Sequence, residues 1–449
     1  MVSGPMLFVV FVVAIAILLF AILKLKLNPF LALLLAAIAT AFMVMMPMKD
    51  ITGKIVTGFG NTMKGVGIII GLGIILGKLL AEAYATDQIA DSMVKTVGKK
   101  NSPLAVNLTG YLTSIPVFFD AAFVILTPLN RQLSRSTNTP YITMLTALAM
   151  GLIVTHATVI PTPGPVAVAG NMNVDMGIFL MYAIVISLPA SLVGGWLYGR
   201  ILGKYRPDVS EPLHADEAAA GAAASKPPVS LALFVLLLPI LMILIGSIMA
   251  LVLPKDSLAA SIFGFFGDKN IAVLIGVVVG MITLKPYFKK PVNELITGAA
   301  ESAGLILLIT GAGGAFGQII NDSGIGKYIV ETLKGWSVSP IVLGFILSQI
   351  LRAAQGSTTV ALITTSAILG PVAATMGASP VLIGLAICAG GIGLSLPNDS
   401  GFWVVSRYGG INEADTIRSW TLGGTITGVT AFIVVLILSL FSGALPGLH

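Results

Sequence analysis

Four short polar clusters hold the residues of this chain that are equipped for chemistry. SIPVFFDAAF (114–123) contains Asp120, and THATVIPTPGP (155–165) contains Thr155, His156, Thr158 and Thr162. LRAAQGSTTVA (351–361) contains Arg352, Gln355, Ser357, Thr358 and Thr359, and NDSG (398–401) contains Asn398, Asp399 and Ser400. A fifth acid, Asp322, stands in QIINDSGIGKY (318–328). The set suits anion binding and proton exchange. Arg352 offers a planar fork of donors that matches a carboxylate. The hydroxyls and amides of Thr158, Gln355, Ser357, Thr358, Thr359, Asn398 and Ser400 suit the hydroxyl groups of such a substrate. His156 changes charge near neutral pH, and a carboxyl in low-dielectric surroundings takes up a proton readily. Asp120, His156, Asp399 and Asp322 are therefore the proton-coupling candidates.

Plainer roles stand beside these. Arg352 and Asp399 suit a structural ion pair, and His156 suits a packed ring bonded to a carbonyl. Asp120 suits a helix cap at the restart of a hairpin, and Asp322 a cap for a helix over 325–335.

The elements that must position these clusters are membrane spans. Of 449 residues, 56% are hydrophobic and 10% charged, against about 25% charged in a soluble domain. A span needs about 20 apolar residues, and such runs fall at 5–23, 29–48, 60–81, 176–199, 229–253, 271–284, 298–320 and 420–441. The first lacks a basic start and a cleavage site and reads as a span. Three zones, 103–135, 139–172 and 338–405, are apolar but broken by Pro, Gly, Ser, Thr and Asn. A lipid-crossing helix must satisfy its backbone internally, so irregular backbone at that depth has to line a protein-enclosed, wet cavity. Short amphipathic helices are expected at 85–100 and 325–336.

The Ala- and Pro-rich stretch over 200–230 reads as a flexible cytoplasmic linker between two halves, 1–199 and 231–449. The halves resemble each other at an offset of 240. IVTG (55–58) matches LITG (295–298), Gly71, Gly73 and Gly77 match Gly311, Gly313 and Gly317, and Thr155 matches Ser395. The positive-inside rule then puts both termini outside. It also makes 103–135 a re-entrant hairpin entering from inside, and 338–371 one entering from outside. Broken helices follow at 139–172 and 377–405. The expected fold is all-α: two inverted repeats around a scaffold of spans 5–81 and 231–320, the organisation of a secondary transporter.

Other classes are disfavoured. The three histidines lie far apart, at 156, 214 and 449, and Cys388 is the sole cysteine, so neither a metal site nor a disulfide framework is expected. The glycines of GLGIILG and GAGGAFG follow no strand and precede no Lys-Ser/Thr pair, so no nucleotide loop is expected. No cofactor and no nucleic-acid partner is implied, and no ring of charge marks a passive channel. A membrane enzyme using His156 with an acid is the rival of another class.

At these residues the chain resembles the gluconate permease family of proton symporters, nearly end to end. The marks are LKLNPFLALLL (25–35), FFDAAF (118–123), VTHATVIPTPGPVAVAG (154–170), GGAFGQIINDSGIGKYI (313–329), LRAAQGSTTVA (351–361) and NDSGFW (398–403). The resemblance implies an inner-membrane, proton-coupled importer of gluconate or a related small hydroxy or sugar acid. It also implies an elevator motion, and a homodimer by analogy with the wider ion-transporter superfamily. His156, Asp322, Arg352, Asn398 and Asp399 fall where the family pattern has the same residue. Asp120 stands where gluconate-type members carry Glu, and Thr162 where they carry a second histidine, so the expectation is a substrate class and not one compound. A sodium-coupled carboxylate carrier of the same superfamily, or a D-serine-type importer, is the alternative.

Overall fold

In a computed structural model, residues 4–97, 101–207, 226–254, 256–325, 328, 339–396 and 399–448 are described. The first half comprises α1 (Pro5–Leu23), α2 (Pro29–Met43), α3 (Met48–Glu82), α4 (Ala85–Val97), α5 (Ser102–Thr113), α6 (Phe119–Thr137), α7 (Tyr141–Thr158), α8 (Pro163–Asn171), α9 (Met176–Ser191) and α10 (Tyr198–Tyr205). The second comprises α11 (Val229–Val252), α12 (Leu258–Gly267), α13 (Lys269–Thr283), α14 (Val292–Asp322), α15 (Pro340–Gln355), α16 (Thr358–Ala373), α17 (Pro380–Gly390), α18 (Ser400–Gly409), α19 (Glu413–Thr416) and α20 (Gly423–Leu440). The described residues form no strand. Six of the helical segments are long and apolar enough to cross a membrane, or seven if the bent pair α12–α13 is one span. Large apolar side chains such as Phe20, Leu31, Ile68, Phe234, Ile282 and Ile437 are exposed, as a surface facing lipid requires.

Several expected boundaries shift for local reasons. The span placed at 29–48 stops at Met43, because Met45 turns left-handed (φ 56°) and Pro47 follows. The next starts early, at Met48, and runs 35 residues. At about 52 Å it exceeds the hydrocarbon thickness and must tilt or protrude. The span placed at 298–320 likewise starts at Val292. The helix α12 was not expected; it meets α13 at 61°, where the Asp268 side chain accepts from the Asn270 and Ile271 amides and starts α13. The span placed at 176–199 continues to Tyr205 through a π-helical turn, 192–197. A second π turn, 417–422, precedes α20. The helix expected at 85–100 is α4. The one at 325–336 and most of the 200–230 linker lie outside the described residues.

The antiparallel pair α3 and α14 forms one wall. Lys54 Nζ contacts Asp322 Oδ2 at 2.6 Å at one end, and Lys289 Nζ donates to Tyr84 Oη at 2.5 Å at the other. The helices touch through glycine: a Cβ on Gly58 would lie 2.5 Å from the Gly314 carbonyl oxygen. Against this wall lie α8 of the interrupted helix α7–α8 and α16 of the helix pair α15/α16, while the turn of a second pair, α5/α6, abuts Gly77 of α3. Another interrupted helix, α17–α18, packs on α15, α20 and α6. The first interrupted helix is enclosed: every residue of α7, and Pro163–Ala169 of α8, is buried. Its irregular backbone at 159–162 is therefore shielded by protein. The second interruption, after Gly390 and before Ser400, is walled by α15 and by the π turn before α20.

Candidate functional site

Residues from all four expected clusters meet at one cavity of about 110 Å³. The turn between α5 and α6 delivers Phe118, Phe119 and Asp120, and α7 delivers His156 from its last turn. The short link between α15 and α16 delivers Arg352, Ser357, Thr358 and Thr359. The start of α18 delivers Asp399 and Gly401, and the π turn adds Trp420. Gly356 adopts φ 70° to end α15, a left-handed conformation that glycine tolerates best. Ser357 then starts α16, accepting from the Val360 amide at 3.4 Å.

The helices α6, α16 and α18 all point their N-termini at this space. Such ends carry unpaired amide hydrogens and the positive end of the helix dipole, so they favour an anion. Phe119 and Trp420 pack with ring centroids 4.6 Å apart, and Phe118 lies 5.8 Å from the His156 ring. The site thus combines an aromatic wall with a polar floor.

Arg352 is 1% exposed, and its Nη2 donates to Asp399 Oδ2 at 2.5 Å. Asp399 is held on both oxygens: Ser395 Oγ donates to Oδ2 and the Gly401 amide donates to Oδ1 at 3.0 Å. Ser395 is itself fixed. Trp420 Nε1 donates to its hydroxyl at 2.5 Å, and the Thr421 hydroxyl donates to its carbonyl. Arg352 Nε and Nη1 have no hydrogen-bond partner among the described residues, nor does His156 Nδ1. The ion pair expected as a plain structural role is present, yet it uses only part of the guanidinium. The unpaired donors are buried, where an unpaired polar group is costly, and they border the cavity. Asp120 is exposed. It stands in the first turn of α6, with Phe118 at the cap position and no side-chain cap bond.

Other expected residues lie elsewhere. The Thr158 hydroxyl donates to the Val154 carbonyl at 2.6 Å, within its own helix, and does not line the cavity. Asp322 is at the end of α14, paired with Lys54 and lining a separate recess. Asn398 lies outside the described residues, as do the side chains of Gln355 and Ser400. Reading the sequence for polar clusters missed Phe118, Phe119, Ser395 and Trp420 as parts of the site. Phe118 and Phe119 stand in the quoted FFDAAF without being singled out, the match of Ser395 to Thr155 across the halves pointed to Ser395, and nothing pointed to Trp420.

The GntP family permease model matches residues 6–441. The chain is 32% identical to the high-affinity gluconate transporter of Escherichia coli K12, over 96% of this chain and 99% of that one. It is 35% identical to an uncharacterized permease of Haemophilus influenzae (96% and 92%) and 31% identical to the gluconate permease of Bacillus licheniformis (96% and 98%). Among solved structures, the YdaH transporter of Alcanivorax borkumensis superposes with a TM-score of 0.62 at 16% identity, covering 89% of this chain and 90% of that one. MtrF of Neisseria gonorrhoeae superposes at 0.59 and 16% identity, covering 88% and 84%. These two likenesses concern the fold alone. Relatives and apolar spans together define a membrane-integral transporter, not an enzyme. The chain belongs to the GntP permease family.

Proposed function

We propose that the chain imports gluconate or a related small hydroxy acid across the inner membrane together with a proton. The carrying observation is the shared cavity: a buried guanidinium with two unpaired nitrogens, three helix N-termini, and an acidic side chain in the same small space. Arg352 binds the substrate carboxylate, and the hydroxyls of Ser357, Thr358 and Thr359 bind its hydroxyl groups. Asp120 would repel that carboxylate as an anion, so it takes up the coupling proton. Asp399 is a poorer carrier, since three groups of the protein already hold its charge: Arg352, the Ser395 hydroxyl and the Gly401 amide. Neutralising the pocket by loading both ligands lowers the cost of moving it through the apolar interior. The names of the gluconate-transporting relatives support the substrate class.

In this reading the two halves are inverted repeats. The pairs α5/α6 and α15/α16, with α7–α8 and α17–α18, form a domain that moves as an elevator against the α3/α14 wall, with both chain termini outside. The shared order of elements in each half supports it. So do the glycines on each wall helix. A Cβ on Gly73 would meet the Pro161 carbonyl oxygen at 2.9 Å, and one on Gly317 would meet that of Ala367 at 2.6 Å.

The test is uptake of labelled gluconate, glycerate, threonate and D-serine into proteoliposomes with an imposed pH gradient. Accumulation that a protonophore abolishes supports the reading. Sodium-driven accumulation without a pH gradient refutes proton coupling, and uptake of none of the four refutes the substrate class.

A further inference from the structure

A second cavity, of about 260 Å³, opens between α3, α8, α14 and α16. Its polar lining is Asn61, Thr62, Asn171, Gln318 and Asn321, with no charged side chain. Amides in apolar spans are costly unless they face a wet or polar space, and an amide offers donors and acceptors together. Asn171 Nδ2 donates to Ser366 Oγ at 2.9 Å and Gln318 bonds Asp322, so the binding role falls to Asn61 and Asn321. Glycines complete the lining, and beside Gly65 the space is open: a Cβ there would meet nothing within 4 Å. Gln318 also borders an adjoining recess that holds Lys49, Asp50, Lys54 and Asp322. There Lys54 is already bound by Asp322, and the two acids offset the two lysines. Charge therefore gives this cavity little attraction for an anion, whereas its amides match hydroxyls. Thr359 lines the central cavity and Ala367 this one, both on α16. The two spaces are thus separated by about 12 Å along one helix.

We propose that this amide-lined cavity is a second binding site, which takes the polyhydroxy chain of a hydroxy acid. It rests on the substrate class proposed above. The central site reads the carboxylate through Arg352; the second reads hydroxyls and does not need Arg352.

The experiment is saturation binding of labelled gluconate to full-length protein in nanodiscs, scored per folded chain. The expected stoichiometry is two in the wild type, one in Arg352→Ala, and none when Asn61→Leu and Asn321→Leu are added to Arg352→Ala. Asn61→Leu with Asn321→Leu alone leaves one. A wild type that binds one, with none left in Arg352→Ala, overturns the second site and leaves the transport reading intact. Two sites that ignore the Asn61 and Asn321 changes overturn its location. A wild type that binds no gluconate, glycerate or threonate overturns the substrate class, and this proposal with it.

Discussion

Arg352 and Asp399 form a buried ion pair, Nη2 to Oδ2 at 2.5 Å, that occupies only part of the guanidinium. The pair joins the end of α15 to the start of α18, both in the second half of the chain. Asp399 fixes the arginine, and the free nitrogens stay available to a ligand. Removing one partner of such a pair leaves an uncompensated buried charge and costs about 3–5 kcal/mol. Arg352→Ala should therefore lower thermal stability and abolish uptake. Adding Asp399→Ala removes the stranded charge, so the double variant should regain stability without regaining uptake. Thermal unfolding and uptake measured side by side separate the two effects. A double variant that transports would show that Arg352 does not bind the substrate.

Trp420 acts on that pair at one remove. Its indole donates to Ser395, which donates to Asp399. Trp420→Phe keeps the ring against Phe119 and loses the donor. A neutral hydrogen bond contributes about 1 kcal/mol net, so the KM for uptake should rise about fivefold, with expression unchanged. A KM equal to that of the wild type would mean the chain from Trp420 to Asp399 does not position the site.

How far the sequence led can be judged on these residues. The spans were legible because about 20 apolar residues in a row have few other uses. The interruptions were legible because Pro and polar residues at that depth demand a cavity. The gathering of Asp120, His156, Arg352 and Asp399 followed from their cost in lipid. Trp420 was not legible, since an aromatic residue at a span end more often anchors to the interface, and the π turn that carries it has no sequence signature. Thr158 drew attention by residue type, and Asp322 by residue type and its place in the family pattern. The orientation of one and the Lys54 partner of the other are tertiary facts.

The seam between the wall and the first hairpin gives a paired test. A Cβ on Gly77 would collide with the backbone oxygen of Pro116, whereas one on Gly71 would meet nothing within 4 Å. Both residues are in α3, where Ala is favoured over Gly by about 1 kcal/mol. Gly71→Ala should be neutral or stabilising, with normal uptake. Gly77→Ala should displace the hairpin turn beside Phe118 and Asp120 and cut uptake by at least about tenfold. Equal behaviour of the two would show that the turn can move away from α3 at no cost.

Asp120 provides the test of coupling. It shares the cavity with the Arg352 donors and is exposed, while Asp399 already accepts three hydrogen bonds from the protein. If Asp120 must be protonated for an anionic substrate to bind, uptake should rise as pH falls on the loading side. Asp120→Asn imitates the protonated form permanently. That variant should still exchange labelled for unlabelled substrate across the membrane, because exchange needs only binding and movement. It should fail to accumulate substrate against a gradient when a pH difference is imposed, since no proton is carried. Counterflow and gradient-driven uptake in the same proteoliposomes read these two properties separately. A variant that keeps protonophore-sensitive accumulation moves the proton elsewhere in the cavity, to His156 first, whose Nδ1 has no partner among the described residues. The matching His156→Gln variant would then lose accumulation and keep exchange.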